Sequence, residues 1–205
     1  MNYLDLHFPV LGTSLASDHG YDLYAALARH APRLHEETCR IRIGPIRGVY
    51  AGNGLLHIDP RFSCLRLRLA PEDIPLVVNL AGKGIDVDGH RLRLGVPQVR
   101  NLMPVSNLGA RLVTIKGFTE PGTFLDAVRR QLTALDITGE IGIPEVIEGP
   151  HTGQPRRRVL RVRDKRVVGF PLIVSSLGAG DSIRLQESGL GGRGKMGCGF
   201  FGAIK

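Results

Sequence analysis

Glycines and cations are interleaved near the end of the chain, in residues 189–199. The sequence of this segment is GLGGRGKMGCG, so six of its eleven residues are glycine, and Arg193 and Lys195 stand between them. Glycine allows positive φ and the close approach of another molecule, and consecutive backbone N–H groups can bind an anion. The segment therefore predicts an anion contact made by Gly191, Gly192, Arg193 and Lys195.

The two common phosphate-binding loops do not fit this segment. A mononucleotide-binding loop needs Ser or Thr after its Gly-Lys pair, and here Met196 follows Lys195. Both that loop and the dinucleotide-binding loop lead into a helix, whereas Phe200, Phe201 and Ile204 are typical of a strand. We therefore expect a glycine-rich loop that leads into a final strand.

The basic residues of the chain are concentrated in its last quarter. Residues 1–149 contain 16 Lys and Arg against 16 Asp and Glu, whereas residues 150–205 contain 11 against 3, which accounts for the net charge of +8. A local basic excess is the electrostatic signature of a polyanion partner. With 5% aromatic residues and no Trp, a charged groove is favoured over a base-stacking surface. The cations expected to bind the partner are Arg156, Arg157, Arg158, Arg161, Arg163, Lys165 and Arg166.

Cysteine and hydropathy patterns limit the class of protein. Cys39, Cys64 and Cys198 are odd in number and far apart, and the chain has neither C-x-x-C nor H-E-x-x-H. This pattern predicts no disulfide scaffold, no metal site and no cofactor. No run approaches ~18 apolar residues, and the first residues lack a signal-peptide pattern. We therefore expect a cytoplasmic protein without a membrane partner.

Hydrophobic periodicity predicts two halves with the order βαββαβ. In the first half, residues 64–69 alternate strictly, and Asp88-Gly89 marks a hairpin turn. The predicted elements of this half are strands at 3–10, 39–43, 48–50, 64–69, 85–87 and 91–94, with helices at 19–31, capped by Asp18, and at 71–80. Those of the second half are strands at 111–116, 139–146, 157–163 and 167–174, with helices at 123–135 and 181–188.

This order predicts an α+β protein built from tandem ferredoxin-like (RRM-like, βαββαβ) folds. The N-terminal domain is expected at residues 1–96 and the C-terminal domain at 110–205, with the basic hairpin and the glycine-rich loop. Residues 97–109, which contain Pro97, Pro104 and Asn107, are predicted to link them.

The glycine spacing and the order of elements together resemble a known family. Gly189-Leu190-Gly191, five further residues and Gly197-Cys198-Gly199-Phe200 resemble the C-terminal motif of the RAMP superfamily of CRISPR-associated proteins. In particular, the chain is similar to the precursor-crRNA endoribonucleases of that superfamily. The resemblance implies two ferredoxin-like folds and a CRISPR repeat stem-loop as substrate. It also implies metal-independent cleavage by 2′-OH attack to a 2′,3′-cyclic phosphate, and association with other Cas subunits.

Cleavage of this kind needs proton transfer, which histidine performs well because its ordinary pKa lies near 6.5. His19 is the first candidate, because it stands in the first turn of a predicted helix, where its ring should be accessible and neutral. His35, just after that helix, is the second, whereas His30 lies on the apolar stripe and should be partly buried. Some relatives carry the catalytic histidine where this chain has Tyr24, whose hydroxyl can position a substrate or act as a weak acid.

The sequence leaves other functions open. The same fold and charge suit a noncatalytic subunit that holds CRISPR RNA in an effector complex. An enzyme for an acidic ligand, with the glycine-rich loop as its anion site, is a weaker interpretation. Neither the catalytic histidine nor the cleavage position follows from the sequence.

Overall fold

The computed structural model describes residues 3–204, and the chain divides into two compact units. The first unit runs to Leu102 and also includes Lys195–Gly197. The second contains Met103–Gly194 and the residues from Cys198 onward. Residues 1 and 205, which form the outer limits of the predicted domains, lie outside the described residues.

The first unit is built around one antiparallel sheet. Its elements are β1 (Leu4–Leu11), β2 (Ser14–Ala16), α1 (Gly20–Ala28), β3 (Arg42–Ile43), β4 (Val49–Gly52), β5 (Leu55–His57), β6 (Cys64–Leu69), β7 (Gly84–Val87), β8 (His90–Leu94) and β9 (Gln98–Asn101). The main sheet has the order β3-β6-β1-β8-β7, and β9 also pairs with β1. A small separate sheet has the order β2-β5-β4.

Strict alternation in β1 and β6 gives the main sheet one apolar and one polar face. Leu6 pairs with Leu67 and Phe8 with Leu65, and all four side chains are buried. They share one hydrophobic core with buried residues of α1 such as Leu23. The intervening residues point to the other face, because side chains alternate along a strand. On that face Asp5 pairs with Arg68, and His7 pairs with Arg66.

Three details of the predicted first half are wrong. The helix expected at 71–80 is instead two 3₁₀ helices, Pro71–Leu76 and Val78–Leu80, because Pro75 cannot donate an α-helical hydrogen bond. The N-cap residue of α1 is His19 and not the predicted Asp18, and the His19 side chain makes no capping hydrogen bond. The segment expected as a linker contains β9, which pairs with β1 through contacts such as Leu6 with Val99.

The second unit has the predicted ferredoxin-like order. Its elements are β10 (Leu108–Val113), α2 (Pro121–Ala134), β11 (Glu140–Gly142), β12 (Arg158–Val162), β13 (Lys165–Ser175), α3 (Ala179–Ser188) and β14 (Phe201–Ala203). The strand order is β11-β13-β10-β14, and β12 pairs with β13 as an extra hairpin. Phe124 of α2 packs on Phe170 of β13, with 4.7 Å between ring centroids, inside the core of this unit. The tandem ferredoxin-like prediction is therefore confirmed.

Between residues 3 and 204, none of the helices combines the length and the apolar character that a membrane crossing requires.

Candidate active site and nucleic-acid interface

His19, the first sequence candidate, is a buried structural residue. Its side chain lies at the start of α1, and the residue is only 2% exposed. Nδ1–H donates to the carbonyl oxygen of Ala16 at 2.7 Å, and Nε2 accepts from the backbone N–H of Ile46 at 3.1 Å. The prediction of an accessible ring is therefore wrong, because Nδ1 ties the start of α1 to Ala16 of β2 and Nε2 ties it to Ile46 in the loop between β3 and β4.

His35, the second candidate, is exposed and pairs with Tyr24. It ends a 3₁₀ turn, Pro32–His35, that follows α1. The hydroxyl oxygen of Tyr24 lies 2.7 Å from Nδ1 of His35, and the two rings meet edge to face at 78°. Burial raises the pKa of the Tyr24 phenol, with smaller contributions from Cys39 and Tyr21. With Nδ1 engaged by Tyr24, Nε2 is the atom of His35 that can exchange a proton with a substrate.

Lys195 fixes the turn that carries His35. Its Nζ donates to the carbonyl oxygens of Leu34 and Glu36, each at 2.7 Å. These two carbonyls immediately precede and follow His35 in the chain. An ammonium group has three donors, so Lys195 can hold the turn and still offer one N–H to an anion. The structure thus brings three predicted site residues, Tyr24, His35 and Lys195, into one cluster.

The other histidines have structural or surface settings. His30 is partly buried, as expected, and its carbonyl accepts from Asn79. His90 forms a hydrogen bond of 3.1 Å with Ser14, and His57 and His151 are exposed.

The glycine-rich segment is shaped mainly by protein contacts. The N–H of Gly191 donates to Oε1 of Gln131 at 2.8 Å, and that of Gly192 donates to the carbonyl of Thr114 at 2.9 Å. Gly191 has φ of +69°, and a Cβ there would collide with the Thr114 carbonyl oxygen. The prediction that the N–H groups of Gly191 and Gly192 bind an anion is therefore wrong, because both are paired within the protein.

The hairpin of β12 and β13 carries most of the predicted RNA-binding cations. Arg161 and Arg166 are directly opposite each other in the register, and both are exposed. Like charges at directly opposite positions destabilise a sheet, so an anion bound between these two arginines reduces their repulsion. Arg163 and Lys165 are exposed at the turn between the strands.

Arg156, Arg157 and Arg158 differ in their surroundings. Arg157 pairs with Glu120, with Nη2 2.7 Å from Oε2, and its guanidinium stacks over the ring of Phe170. Arg157 is nevertheless exposed, so its contact with RNA stays a prediction. Arg158 has a buried Nε that lacks a hydrogen-bond partner, and burial together with Arg111 and Arg156 lowers its pKa to about 10.

Within residues 3–204, the side chains that commonly bind metal ions do not cluster. Among residues 3–204, no group of three or more His, Cys, Asp and Glu side chains could hold a metal ion.

Comparison with known proteins decides the family. A family model described as "Cas6 Crispr" matches residues 4–205. The chain belongs to the Cas6 family. A curated member, the CRISPR-associated endonuclease Cas6 of Myxococcus xanthus strain DK1622, is 38% identical over 201 residues, which are 98% of this chain and 81% of that protein.

Solved structures with the same fold include the product of a Cas6-related gene and a RAMP protein. The product of a Cas6-related gene from Pyrococcus furiosus has a TM-score of 0.67 at 12% identity and covers 99% of both chains. A RAMP protein described as binding different RNA substrates has a TM-score of 0.65 at 10% identity and covers 100% of both chains. These likenesses place the chain's fold with that of the Cas6 family.

Sequence analysis of this Cas6-family chain missed how its site is assembled. Lys195 binds the backbone carbonyls of Leu34 and Glu36. Every residue has such a carbonyl, so the residue types at these positions could not predict the contact. The edge-to-face pairing of Tyr24 with His35 could have been suspected from one observation. A proline at the start of the turn ends α1 and allows the chain to fold back towards the helix.

Proposed function

We propose that this chain is an endoribonuclease that cleaves precursor CRISPR RNA within its repeats. The observation that carries the proposal is the exposed Tyr24–His35 pair on a turn that Lys195 holds in place. A relative 38% identical over nearly the whole chain is named a CRISPR-associated endonuclease, which supports the same activity here.

The proposed reaction is an internal transfer in which the 2′-OH attacks the adjacent phosphorus and the 5′-oxygen leaves. The products are a 2′,3′-cyclic phosphate and a 5′-hydroxyl, and no metal takes part. His35 exchanges the proton through Nε2, and Tyr24 orients the ring through Nδ1. The third N–H of Lys195 stabilises the negative charge that develops on the phosphorane oxygens.

RNA binding is assigned to the cations of the β12–β13 hairpin. Arg161, Arg163, Lys165 and Arg166 are exposed around one turn and suit phosphate contacts along a stem. A-form RNA is held mostly through its shape, phosphates and 2′-hydroxyls. A solved RAMP protein with this fold is described as binding different RNA substrates, which supports RNA as the ligand. Retention of the product in a complex with other Cas subunits is part of the same proposal.

The test is incubation of the chain with repeat RNA in EDTA, followed by analysis of the product ends. We expect a cyclic phosphate and no effect of EDTA. Products that form only with added magnesium would overturn the mechanism. Tight binding without any cleavage would favour the alternative, a noncatalytic subunit that holds CRISPR RNA.

A modified substrate shows which proton His35 transfers. A sulfur atom in place of the 5′-bridging oxygen leaves without needing a proton. If His35 is the general acid, His35→Ala will cleave this substrate at nearly the wild-type rate. If His35 is the general base, the variant will stay slow on both substrates. An unchanged rate of His35→Ala on ordinary RNA would contradict both roles.

A further inference from the structure

Cys64 occupies a different chemical setting from the other two cysteines. Cys39 is 7% exposed and Cys198 is fully buried, whereas Cys64 is partly exposed at the start of β6. In the register of β1 and β6, Cys64 is opposite Pro9 and Arg66 is opposite His7. Cys64 and His7 are therefore diagonal neighbours on the polar face of the sheet, within reach of each other.

The imidazole of His7 connects the Cys64 thiol to a buried ion pair. His7 is the diagonal neighbour of Cys64 in the register of β1 and β6, and its Nε2 lies 3.8 Å from Oδ2 of Asp5. Asp5 is held by Arg68 through two hydrogen bonds of 2.7 and 2.9 Å, and the Arg68 side chain is 1% exposed. A nucleophile, a base and a carboxylate that orients the base form the arrangement that activates a side chain for nucleophilic attack.

Other charges around the pair favour a thiolate. Arg66 lies opposite His7, and Arg47 is held close by because its carbonyl accepts from the Ser63 hydroxyl at 2.8 Å. Burial alone would raise the pKa of the Cys64 thiol, but His7, Arg66 and Arg47 together lower it. Asp5 and Cys64 raise the pKa of His7 to about 9.

From β9, Gln98 lies opposite His7, and Arg100 lies opposite Asp5. Arg42 of β3 lies opposite Arg68. Apart from Asp5, the charged residues that these strands bring to this face are cations, so their fields also favour the thiolate. These charges therefore favour the thiolate form of Cys64 and the imidazolium form of His7.

We propose that Cys64 is a modification site whose sulfur reacts with hydroperoxides, with His7 as the proton donor. The thiolate attacks one peroxide oxygen, so an S–O bond forms and the O–O bond breaks. The leaving hydroxide, or the alkoxide of an organic hydroperoxide, takes the proton of the His7 imidazolium and departs as water or an alcohol. The sulfur is oxidised to a sulfenic acid while the peroxide is reduced, and dithiothreitol reverses the change.

The full-length chain provides its own comparison, because its three cysteines can be followed together. The protein is treated with hydrogen peroxide and a dimedone probe at pH 6.5, and labelled peptides are quantified by mass spectrometry. We expect Cys64 to be labelled at least about tenfold faster than Cys39 and Cys198, since thiolate character and access control the rate. Equal rates at Cys64 and Cys39 would overturn the proposal.

His7→Gln tests the proton donor, and Arg47→Gln provides a second variant at an exposed position. In His7→Gln, labelling of Cys64 at pH 6.5 should fall about tenfold or more, while Arg47→Gln should fall less. Iodoacetamide alkylation of wild-type Cys64 should remain fast down to pH 6, and in His7→Gln it should decline like that of an ordinary thiol. If both variants react as fast as the wild type, His7 has no part in activating Cys64.

Discussion

The hydroxyl oxygen of Tyr24 lies 2.7 Å from Nδ1 of His35, across eleven residues of sequence. Tyr24 belongs to α1, and His35 ends the 3₁₀ turn that follows it. A helix is a rigid support, so Tyr24 fixes the orientation of the His35 ring. The pair therefore has the form of a proton-transfer group with an attached orienting hydroxyl.

Tyr24→Phe should reduce the rate of RNA cleavage about three- to tenfold. The variant keeps the aromatic contact but removes a hydrogen bond that contributes about 0.5–1.5 kcal/mol, and ~1.4 kcal/mol corresponds to tenfold. Single-turnover kinetics across pH will measure the effect. Tyr21→Phe is the matched control, because Tyr21 is a partly buried residue of the same helix. An equal loss in both variants would exclude a specific role for the Tyr24 hydroxyl.

His19→Ala should lower the stability of the fold, whereas His35→Ala should abolish cleavage and leave stability unchanged. His19→Ala leaves the Ala16 carbonyl and the Ile46 N–H without their partner, which costs roughly 1–3 kcal/mol for each group. Urea unfolding should show this loss of stability. His35→Ala alters an exposed side chain, so its stability should match the wild type while cleavage is abolished. A stable, inactive His19→Ala protein would return the catalytic role to His19.

Lys195→Met should lower kcat with little change in KM. The variant keeps the length of the side chain but loses both hydrogen bonds to the turn that carries His35. We expect about a tenfold to hundredfold loss, as is typical for a misplaced proton-transfer group. Lys195→Arg should recover part of the activity, because a guanidinium can also donate to two carbonyls.

Arg193→Met is the matched control for Lys195, because Arg193 is exposed in the same segment. If the Arg193 guanidinium contacts only phosphate, Arg193→Met should raise KM and leave kcat nearly unchanged. A Lys195→Met variant with the same KM effect and an unchanged kcat would exclude the positioning role of Lys195.

Arg161→Gln with Arg166→Gln should weaken RNA binding and make it less sensitive to salt. Each lost phosphate contact should reduce the slope of log K against log salt by about 0.7–0.9. The double variant should therefore change the slope by roughly 1.4–1.8. Arg91→Gln with Arg93→Gln removes the same charge from two exposed positions of the first unit. Equal changes of slope in both double variants would indicate a general charge effect.

His7 should make stability depend on pH above neutrality. Its pKa is raised from 6.5 to about 9 in the folded protein, chiefly by Asp5 and then by Cys64. Its stabilising effect is therefore complete below pH 6.5 and is lost as pH rises through about 9. The difference in Tm between the wild type and His7→Gln should be largest near pH 6 and small at pH 9.5. A difference that grows with pH would contradict the raised pKa.

The sequence predicted most clearly those elements whose pattern is local. β6 lies where strict alternation in Cys64–Leu69 placed it, and α2 and α3 begin within two residues of their predicted starts. β9 was missed because its pairing with β1 comes from distant residues and its own four residues are all exposed. The two 3₁₀ helices at 71–80 show that one internal proline outweighed a helical apolar pattern.

The candidate site was only partly predictable for the same reason. His35 and Lys195 could be named from residue type and position, and Tyr24 from the resemblance to relatives, but the mutual contacts of these residues depend on the fold. His19 had the expected position at a helix start, yet the N–H of Ile46, 27 residues away, takes its Nε2. No local pattern reports such a partner, so burial reversed the order of the two histidine candidates.

The clamp on the His35 turn has a consequence for the timing of biosynthesis. Lys195 is made 159 residues after Glu36, whose carbonyl it binds. At ~5–20 residues per second, a ribosome needs on the order of ten seconds or more to cover that distance. The β12–β13 hairpin emerges during this interval, before Lys195. In a nascent chain the proposed RNA-binding cations of the hairpin are therefore present before Lys195 can hold the turn that carries His35.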